Sequence, residues 1–285
     1  MAIYHLRHTK NNRSAGANVI NKVAYRLRTK AKFVDYETGE LKSRNHSRQR
    51  EGETVIDLGL YGAPTHMKDP MAWAEAIEIA ENRKKSVVCR EFEVALPREL
   101  SKQEMKYAIE DFIEGAITKH GMTAHAVIHD SDNNPHCHIL FSERIYDERK
   151  QKFGNKSRVY TQTGKDALND ARKLWADVVN EQLKQYNTRI THKSYKDLGI
   201  TDVQPSQRIG RKPYPWVKHE TKLNEVKRNR REELLKIPHF RKKYSGELLE
   251  EQETNNLLSG IDKFKSKKSN PLKNKNKSGS KFKNK

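Results

Sequence analysis

His129-Asp130-Ser131-Asp132-Asn133-Asn134-Pro135-His136-Cys137-His138-Ile139-Leu140-Phe141 sets three histidines within ten residues, two of them one residue apart at the head of an apolar run. Residues two apart on a β-strand point to one face, about 6.6 Å from each other. His136 and His138 therefore aim their imidazoles at a common point. Asp132 to Pro135 is turn chemistry, and Ala124-His125-Ala126-Val127-Ile128 before it reads as another strand. A hairpin folded there brings His129 beside the pair. Three neutral imidazoles with positions left over suit a divalent cation that must still accept a substrate oxygen. A strand histidine is more often only a satisfied polar residue, and an isolated H-x-H pair is weak. The third histidine at hairpin distance tips the reading towards ligands. His125 shares the parity of His129 but lies four residues, about 13 Å, further down the strand, so it is expected to be structural or DNA-facing.

The turn at 132–135 requires antiparallel pairing, and the segments around it alternate between strand and helix patterns. Residues 2–8 read as a short strand, followed by a polar loop over Lys10 to Ser14. A helix from about Ala17 to Lys30 carries Ala17, Ile20, Ala24 and Leu27 as its buried stripe. Asp35 to Glu40 reads as a turn, Ser43 to Gly52 as a charged loop and Thr54 to Leu60 as a strand or irregular segment. Asp69 and Pro70 are N-cap and N1 signals for a helix to about Arg83. Val87 to Pro97 is a strand ended by proline. Ser101 to Glu104 forms a capping box opening a helix to about Lys119. Asp166 to Gln185 is a helix whose apolar face holds Ala167, Leu168, Ala171, Leu174, Trp175, Val178, Val179 and Leu183. The expected fold class is α+β: an antiparallel sheet carrying the histidine site, with helices packed on its faces.

The compact domain is expected to cover residues 1–212, ending near Lys212-Pro213. A charged helical extension follows over 213–262, with helical patterns at Trp216 to Ile237 and Glu247 to Leu258. Residues 263–285 hold ten Lys and no Asp or Glu, half of the formal net charge of +20 on this 285-residue chain. That composition buries little and reads as a disordered basic arm. The overall excess of cations points to a polyanionic partner, because Lys and Arg contacts to phosphate release condensed counterions. Cys89 and Cys137 are the only cysteines. Both sit in apolar strand-like runs, which suggests a reducing compartment and not a disulfide framework. The start, Met1 to His8, turns polar too soon for a secretory signal, and no apolar run approaches a membrane span. The expectation is a cytoplasmic protein without membrane insertion.

Several stretches, in order, resemble the MobA/MobL-type plasmid relaxases of the MOBQ class. They are Met1-Ala2-Ile3-Tyr4-His5-Leu6, Ala24-Tyr25-Arg26, Arg90 to Pro97, Asn134 to His138 with Ser142-Glu143-Arg144, Trp175-Ala176-Asp177 and Arg189 to Tyr195. Together they span about residues 1–210. Relaxases of this class often carry a histidine in a segment corresponding to Pro205-Ser206-Gln207-Arg208-Ile209-Gly210, which here has none. The resemblance implies a single-strand DNA endonuclease and strand transferase of the histidine–hydrophobe–histidine superfamily. The chain stops soon after the nuclease region, so no helicase or primase domain is expected.

By that resemblance Tyr25 is the nucleophile, attacking a DNA phosphodiester to leave a 5′-phosphotyrosine and a free 3′-OH. A divalent metal ion, Mg²⁺ or Mn²⁺, on His129, His136 and His138 would act as Lewis acid and template. Any one of eleven tyrosines is usually packing or surface. Tyr25 lies about 100° around its helix from Ala24, on the flank holding Asn18, Asn21 and Arg28, where it could face a cleft. Glu91 and Glu93 share one strand face. By resemblance Glu91 orients a ligand histidine or receives the tyrosine proton; an outer-face pair matched with Arg90 or a helix Lys is almost as good a reading. Arg7, Arg13, Lys22, Arg26 and Arg28 near the nucleophile are the expected DNA contacts.

The implied partners are single-stranded origin-of-transfer DNA, accessory relaxosome proteins and a type IV coupling protein. Two readings compete. A rolling-circle replication initiator or transposase would use the same chemistry, but in those families the tyrosine usually follows the histidine pair, and here Tyr25 precedes it by about 110 residues. A non-catalytic basic DNA-binding protein with a structural metal would need a fourth ligand; Cys137 points opposite to His136 and His138.

Overall fold

The computed structural model describes residues 3–35, 38–48, 52–131, 134–162, 164–202 and 214–247, with the side chains of 162, 214–220 and 244 outside that description. The turn centre Asp132-Asn133, Tyr36, the segment Pro205 to Gly210, the boundary at Lys212-Pro213, the helix expected beyond Glu247 and the basic tail from Lys263 lie outside the described residues. Internal contacts divide the chain into two units that meet in sequence at His192 and Lys193.

The first unit is α+β. Its sheet runs β1 (Leu6–Asn12), β5 (Val87–Ala95), β7 (His136–Asp147), β6 (Met122–Ser131), β4 (Glu53–Tyr61), every neighbour antiparallel, with β8 (Lys152–Lys156) pairing β7. A separate hairpin joins β2 (Lys30–Val34) and β3 (Leu41–Asn45). Strand alternation sends Phe92, Val94, Ala124, Ala126, Ile128, Cys137, Ile139 and Phe141 into one core with α3 (Lys102–Ala116) and α5 (Gly164–Leu183). The opposite face receives α1 (Val19–Leu27) and α2 (Pro70–Ala80), with Cys89 and Leu140 in their core. Helices on both faces explain why β6 is buried almost end to end, unlike a sheet with one wet side. The two cysteines are free and lie on opposite sheet faces, so no disulfide joins them.

Local signals set the helix starts. Asp69 accepts from Met71 and Ala72 N–H, and Ser101 with Glu104 closes a capping box. The apolar face read for the long helix is found in α5, where Ala171, Trp175, Val179 and Leu183 are buried; the one-turn α4 (Val159–Gln162) precedes it. Other boundaries differ from the sequence reading. The first strand covers 6–12, not 2–8, because the polar Lys10, Asn11 and Asn12 pair with Arg90, Cys89 and Val87 on β5. The first helix is shorter, with Asn18 capping it through Asn21 N–H, and it buries Val19, Ile20, Val23 and Ala24. Part of the segment read as a charged loop belongs to β3, and the chain just before the expected turn is β2. There Lys30 and Lys32 point out while Ala31 and Phe33 are buried against the α1–α2 side.

The second unit holds α6 (Tyr214–Leu235) and α7 (Pro238–Ser245). Leu198, Ile200 and Leu234 make its small core, with Tyr195, Leu235 and Phe240 against them. Among the described residues no helix is long and apolar enough to cross a membrane.

Candidate active site

The β6–β7 hairpin pairs His129 with His136 and Val127 with His138. All three histidines thus fall on the α1–α2 face, at the turn end of the two central strands. Each offers one ring nitrogen, and these atoms lie within 4.8 Å of one another. The rings meet edge to face at centroid distances of 4.8 to 5.3 Å, a fan with its nitrogens turned inward.

Hydrogen bonds on the far side of each ring assign the tautomers. His138 Nδ1–H donates to Glu91 Oε1 at 2.8 Å, His136 Nδ1–H to the Asn134 carbonyl at 2.7 Å, and His129 Nε2–H to the Arg26 carbonyl at 2.7 Å. The nitrogen left on each ring carries a lone pair. Burial pushes His129 down to about 4 and lowers His136 as well, so both stay neutral near pH 7, the state a metal ligand requires. Outer partners of this kind orient ligand histidines and raise their basicity.

Glu91 is the centre of that outer layer. Its carboxylate is buried, and Oε1 accepts from Arg26 Nε at 2.9 Å and also from Arg26 Nη2. Burial alone would raise its pKa, but the His138 hydrogen bond and the Arg26 guanidinium bring it down to about 2. Of the two acids on that strand face, Glu91 meets the histidine, while half-buried Glu93 lies opposite Arg7 across β1, 3.9 Å between charged atoms.

Tyr25 stands on α1, 39% exposed. The carbonyl of the next residue is the one that accepts from His129, which ties the end of this helix to the imidazole fan. The helix stops at Arg28, which takes a left-handed backbone (φ 55°) with its N–H capping Ala24 and Tyr25 carbonyls. Its guanidinium lies 4.9 Å over the Tyr25 ring and grips Glu53 with both ends, at 2.9 and 3.1 Å. Burial works against that charge, and the hydrogen bonds to Glu53 and Tyr25 raise the Arg28 pKa above its ordinary value. Glu53 Oε1 also comes within 3.6 Å of His129 Nδ1.

Of the five cations expected at DNA, three have side chains buried in ion pairs. Arg13 is buried, 2.7 Å from Glu78 Oε2 and donating to the Glu81 carbonyl. Arg26 is buried against Glu91. Both guanidiniums are engaged by carboxylates within the fold. Arg28 is held by Glu53. Arg7 is exposed and Lys22 half-buried. His125 is structural: its Nε2–H donates to Asp57 Oδ1 at 2.8 Å, the oxygen that also accepts from Gly59 N–H at the β4 bulge. Sequence reasoning missed Glu53, whose parity with Asp57 on β4 was the available signal, and also His46 beside Tyr25.

The chain matches the profile of the MobA/MobL family over residues 17–216. It is 27% identical over 247 residues to a "Probable mobilization protein MobA" of Bifidobacterium longum, a match covering 72% of this chain and 43% of that one. With a "Mobilization protein A" of Escherichia coli the identity is 26%, over 70% of this chain and 28% of the relative. A "Mobilization protein MobL" of Acidithiobacillus ferridurans is 25% identical, over 74% and 62%. The chain thus spans less than half the length of the first two. A solved structure described as "Molecular Basis of Vancomycin Resistance Transfer in Staphylococcus aureus" superposes with a TM-score of 0.55 at 25% identity, covering 68% of this chain and all of that one.

Proposed function

This chain belongs to the MobA/MobL family, and from that footing we propose that it is a relaxase that nicks single-stranded origin-of-transfer DNA by transesterification onto Tyr25, for plasmid mobilisation. The observation that carries the reading is the 2.7 Å hydrogen bond from His129 to the Arg26 carbonyl, one residue from the tyrosine. A phenol and an imidazole fan tied together in this way are what phosphoryl transfer from DNA needs.

Tyr25 Oη attacks the scissile phosphorus; the new phenol–phosphate ester forms as the bond from phosphorus to the 3′ oxygen breaks. The phenol gives up its proton and the leaving 3′ oxygen takes one, so the strand ends as a 3′-OH with its 5′ phosphate on Tyr25. Phosphodiester is exchanged for phosphodiester, and the step runs backwards to rejoin ends. Arg28, whose guanidinium lies over the ring, favours negative charge on the attacking oxygen. Glu91 and Arg26 keep His138 in one tautomer and one orientation.

His129, His136 and His138 would hold a divalent cation, which when bound supplies Lewis-acid neutralisation of charge on the phosphate. The donor set fits: three imidazoles with their outer N–H groups all engaged. Mg²⁺ and Mn²⁺ both favour oxygen ligands, so the imidazole set does not choose between them. Accessory relaxosome proteins and a type IV coupling protein are the further partners of this reading.

The test is a set of 3′-labelled single-stranded oligonucleotides tiling the transfer region of the plasmid that encodes the protein, incubated with it and Mn²⁺. A labelled adduct stable in SDS is expected, lost with EDTA and in Tyr25→Phe. An adduct undiminished in Tyr25→Phe overturns the assignment.

A further inference from the structure

Tyr25 projects from an exposed flank of α1, where a phenol rotates among its rotamers unless something holds it. Three groups flank the ring. The Arg28 and Arg26 guanidiniums lie 4.9 and 5.5 Å from its centroid, and His46 meets it edge to face, centroids 5.4 Å apart and planes at 83°. Such edge-to-face pairs are an attractive arrangement of ring quadrupoles.

His46 is itself fixed at two points. Its backbone N–H donates to the Thr29 carbonyl at 3.1 Å, and its ring Nε2–H to Asn21 Oδ1 at 2.8 Å. Asn21 sits one helical turn before Tyr25, so α1 carries both the tyrosine and the clamp on the tyrosine's neighbour. Burial, then the charges of Arg28, Arg44 and Arg26, lower the His46 pKa. The imidazole is therefore neutral at neutral pH and packs as a ring without adding a fourth cation.

We propose that His46, clamped by Asn21, is a positioning residue that holds the Tyr25 phenol in one orientation for attack on phosphorus. The proposal rests on Tyr25 being the nucleophile. A misplacement of about 1 Å at a reacting group can cost on the order of 10²-fold in rate, so one ring contact is enough to matter. His46 follows β3 directly, and the β2–β3 hairpin carries the exposed Lys30, Lys32 and Arg44, the two lysines on its outer face and Arg44 opposite Ala31 on the other. The hairpin that presents these cations is thus covalently continuous with the group that steadies the nucleophile.

The test compares His46→Ala, His46→Phe and Asn21→Ala in single-turnover adduct formation at saturating oligonucleotide and Mn²⁺. Mn²⁺ affinity is measured by calorimetry. A 3-fluorotyrosine placed at position 25 is read by ¹⁹F NMR in the DNA-free protein. His46→Ala is expected to slow adduct formation about tenfold, leave DNA and Mn²⁺ affinities unchanged, and broaden or split the ¹⁹F line. His46→Phe, which keeps the ring edge, restores most of the rate and the single line; Asn21→Ala falls between. A rate within twofold of wild type and an unchanged ¹⁹F line in His46→Ala overturn the proposal. So does a loss of metal affinity in step with rate, which marks a general structural defect. Adduct formation by Tyr25→Phe would instead remove the nucleophile assignment, while the ¹⁹F line still reports whether His46 fixes the ring.

Discussion

Arg26 Nε donates to Glu91 Oε1 across 2.9 Å, joining helix α1 to strand β5 beneath the imidazole fan. The same oxygen holds His138, so one carboxylate serves both fold and site. The two roles separate by substitution. Glu91→Gln keeps the volume and loses the charge; Mn²⁺ affinity is expected to fall about 10- to 100-fold, the usual cost of an outer-layer partner. Arg26→Ala leaves a buried carboxylate without its cation and is expected to cost about 3–5 kcal/mol of stability. Calorimetry and urea unfolding read the two effects. Wild-type Mn²⁺ affinity in Glu91→Gln would remove Glu91 from the metal centre.

Acid acts on the same region in two windows. The folded His129 pKa, about 4, lies below the ordinary 6.5, so the unfolded chain takes up that proton first and stability falls as pH drops from 6.5 towards 4. His8, half-buried and next to Arg90, behaves in the same way, also near 4. Glu91, at about 2 against 4.5, contributes stability that is complete above 4.5 and lost as pH falls towards 2. The urea midpoint is therefore expected to decline between pH 7 and 5, before carboxylates titrate. His129→Gln should flatten that slope, and an unchanged slope would contradict the burial argument.

What could be read from the chain was local. The histidine hairpin needs only a turn and the period of two, and His136 and His138 follow from it. The α2 and α3 starts followed from Asp69 and Ser101 for the same reason. The Arg26–Glu91 pair, 65 residues apart, depends on β5 lying beside β7 and on α1 crossing that face, which no periodicity encodes. The pairing of Arg13 with Glu78 on α2 was not legible either, because Arg13 lies in a short polar segment far from Glu78 in sequence. The alternation Lys30-Ala31-Lys32-Phe33 did announce a strand with one buried side, but the helix pattern running into it obscured the signal.

Arg28 sets two magnitudes against each other. A non-glycine residue in the left-handed region costs about 1–2 kcal/mol, so glycine would relax the backbone there. Yet Arg28→Gly takes the guanidinium away from Glu53, whose side chain is only 3% exposed, and breaking a buried pair costs about 3–5 kcal/mol. The second term is larger, and net destabilisation of about 2–3 kcal/mol is expected in urea unfolding. Arg28→Lys keeps the charge but not the fork that spans both Glu53 oxygens, and should fall between. An Arg28→Gly protein more stable than wild type would mean that the pair contributes nothing.

The cations expected at DNA divide by burial, and DNA binding should divide with them. Arg7 is 46% exposed on its side chain, and its 3.9 Å approach to Glu93 is the kind of surface pair worth little. Its guanidinium can turn to a phosphate, and half-buried Lys22 can as well. Removing one cation that neutralises a phosphate is expected to reduce the slope of log affinity against log salt by about 0.7 for a single strand. The double variant Arg7→Ala/Lys22→Ala should therefore lower the slope by about 1.4 with stability little changed. Arg13→Ala removes the partner of Glu78 and should instead cost roughly 3 kcal/mol in urea unfolding, with the salt slope intact. Fluorescence anisotropy across a salt series, run beside the unfolding curves, decides it. A reduced slope at full stability in Arg13→Ala would place that guanidinium at the DNA after all.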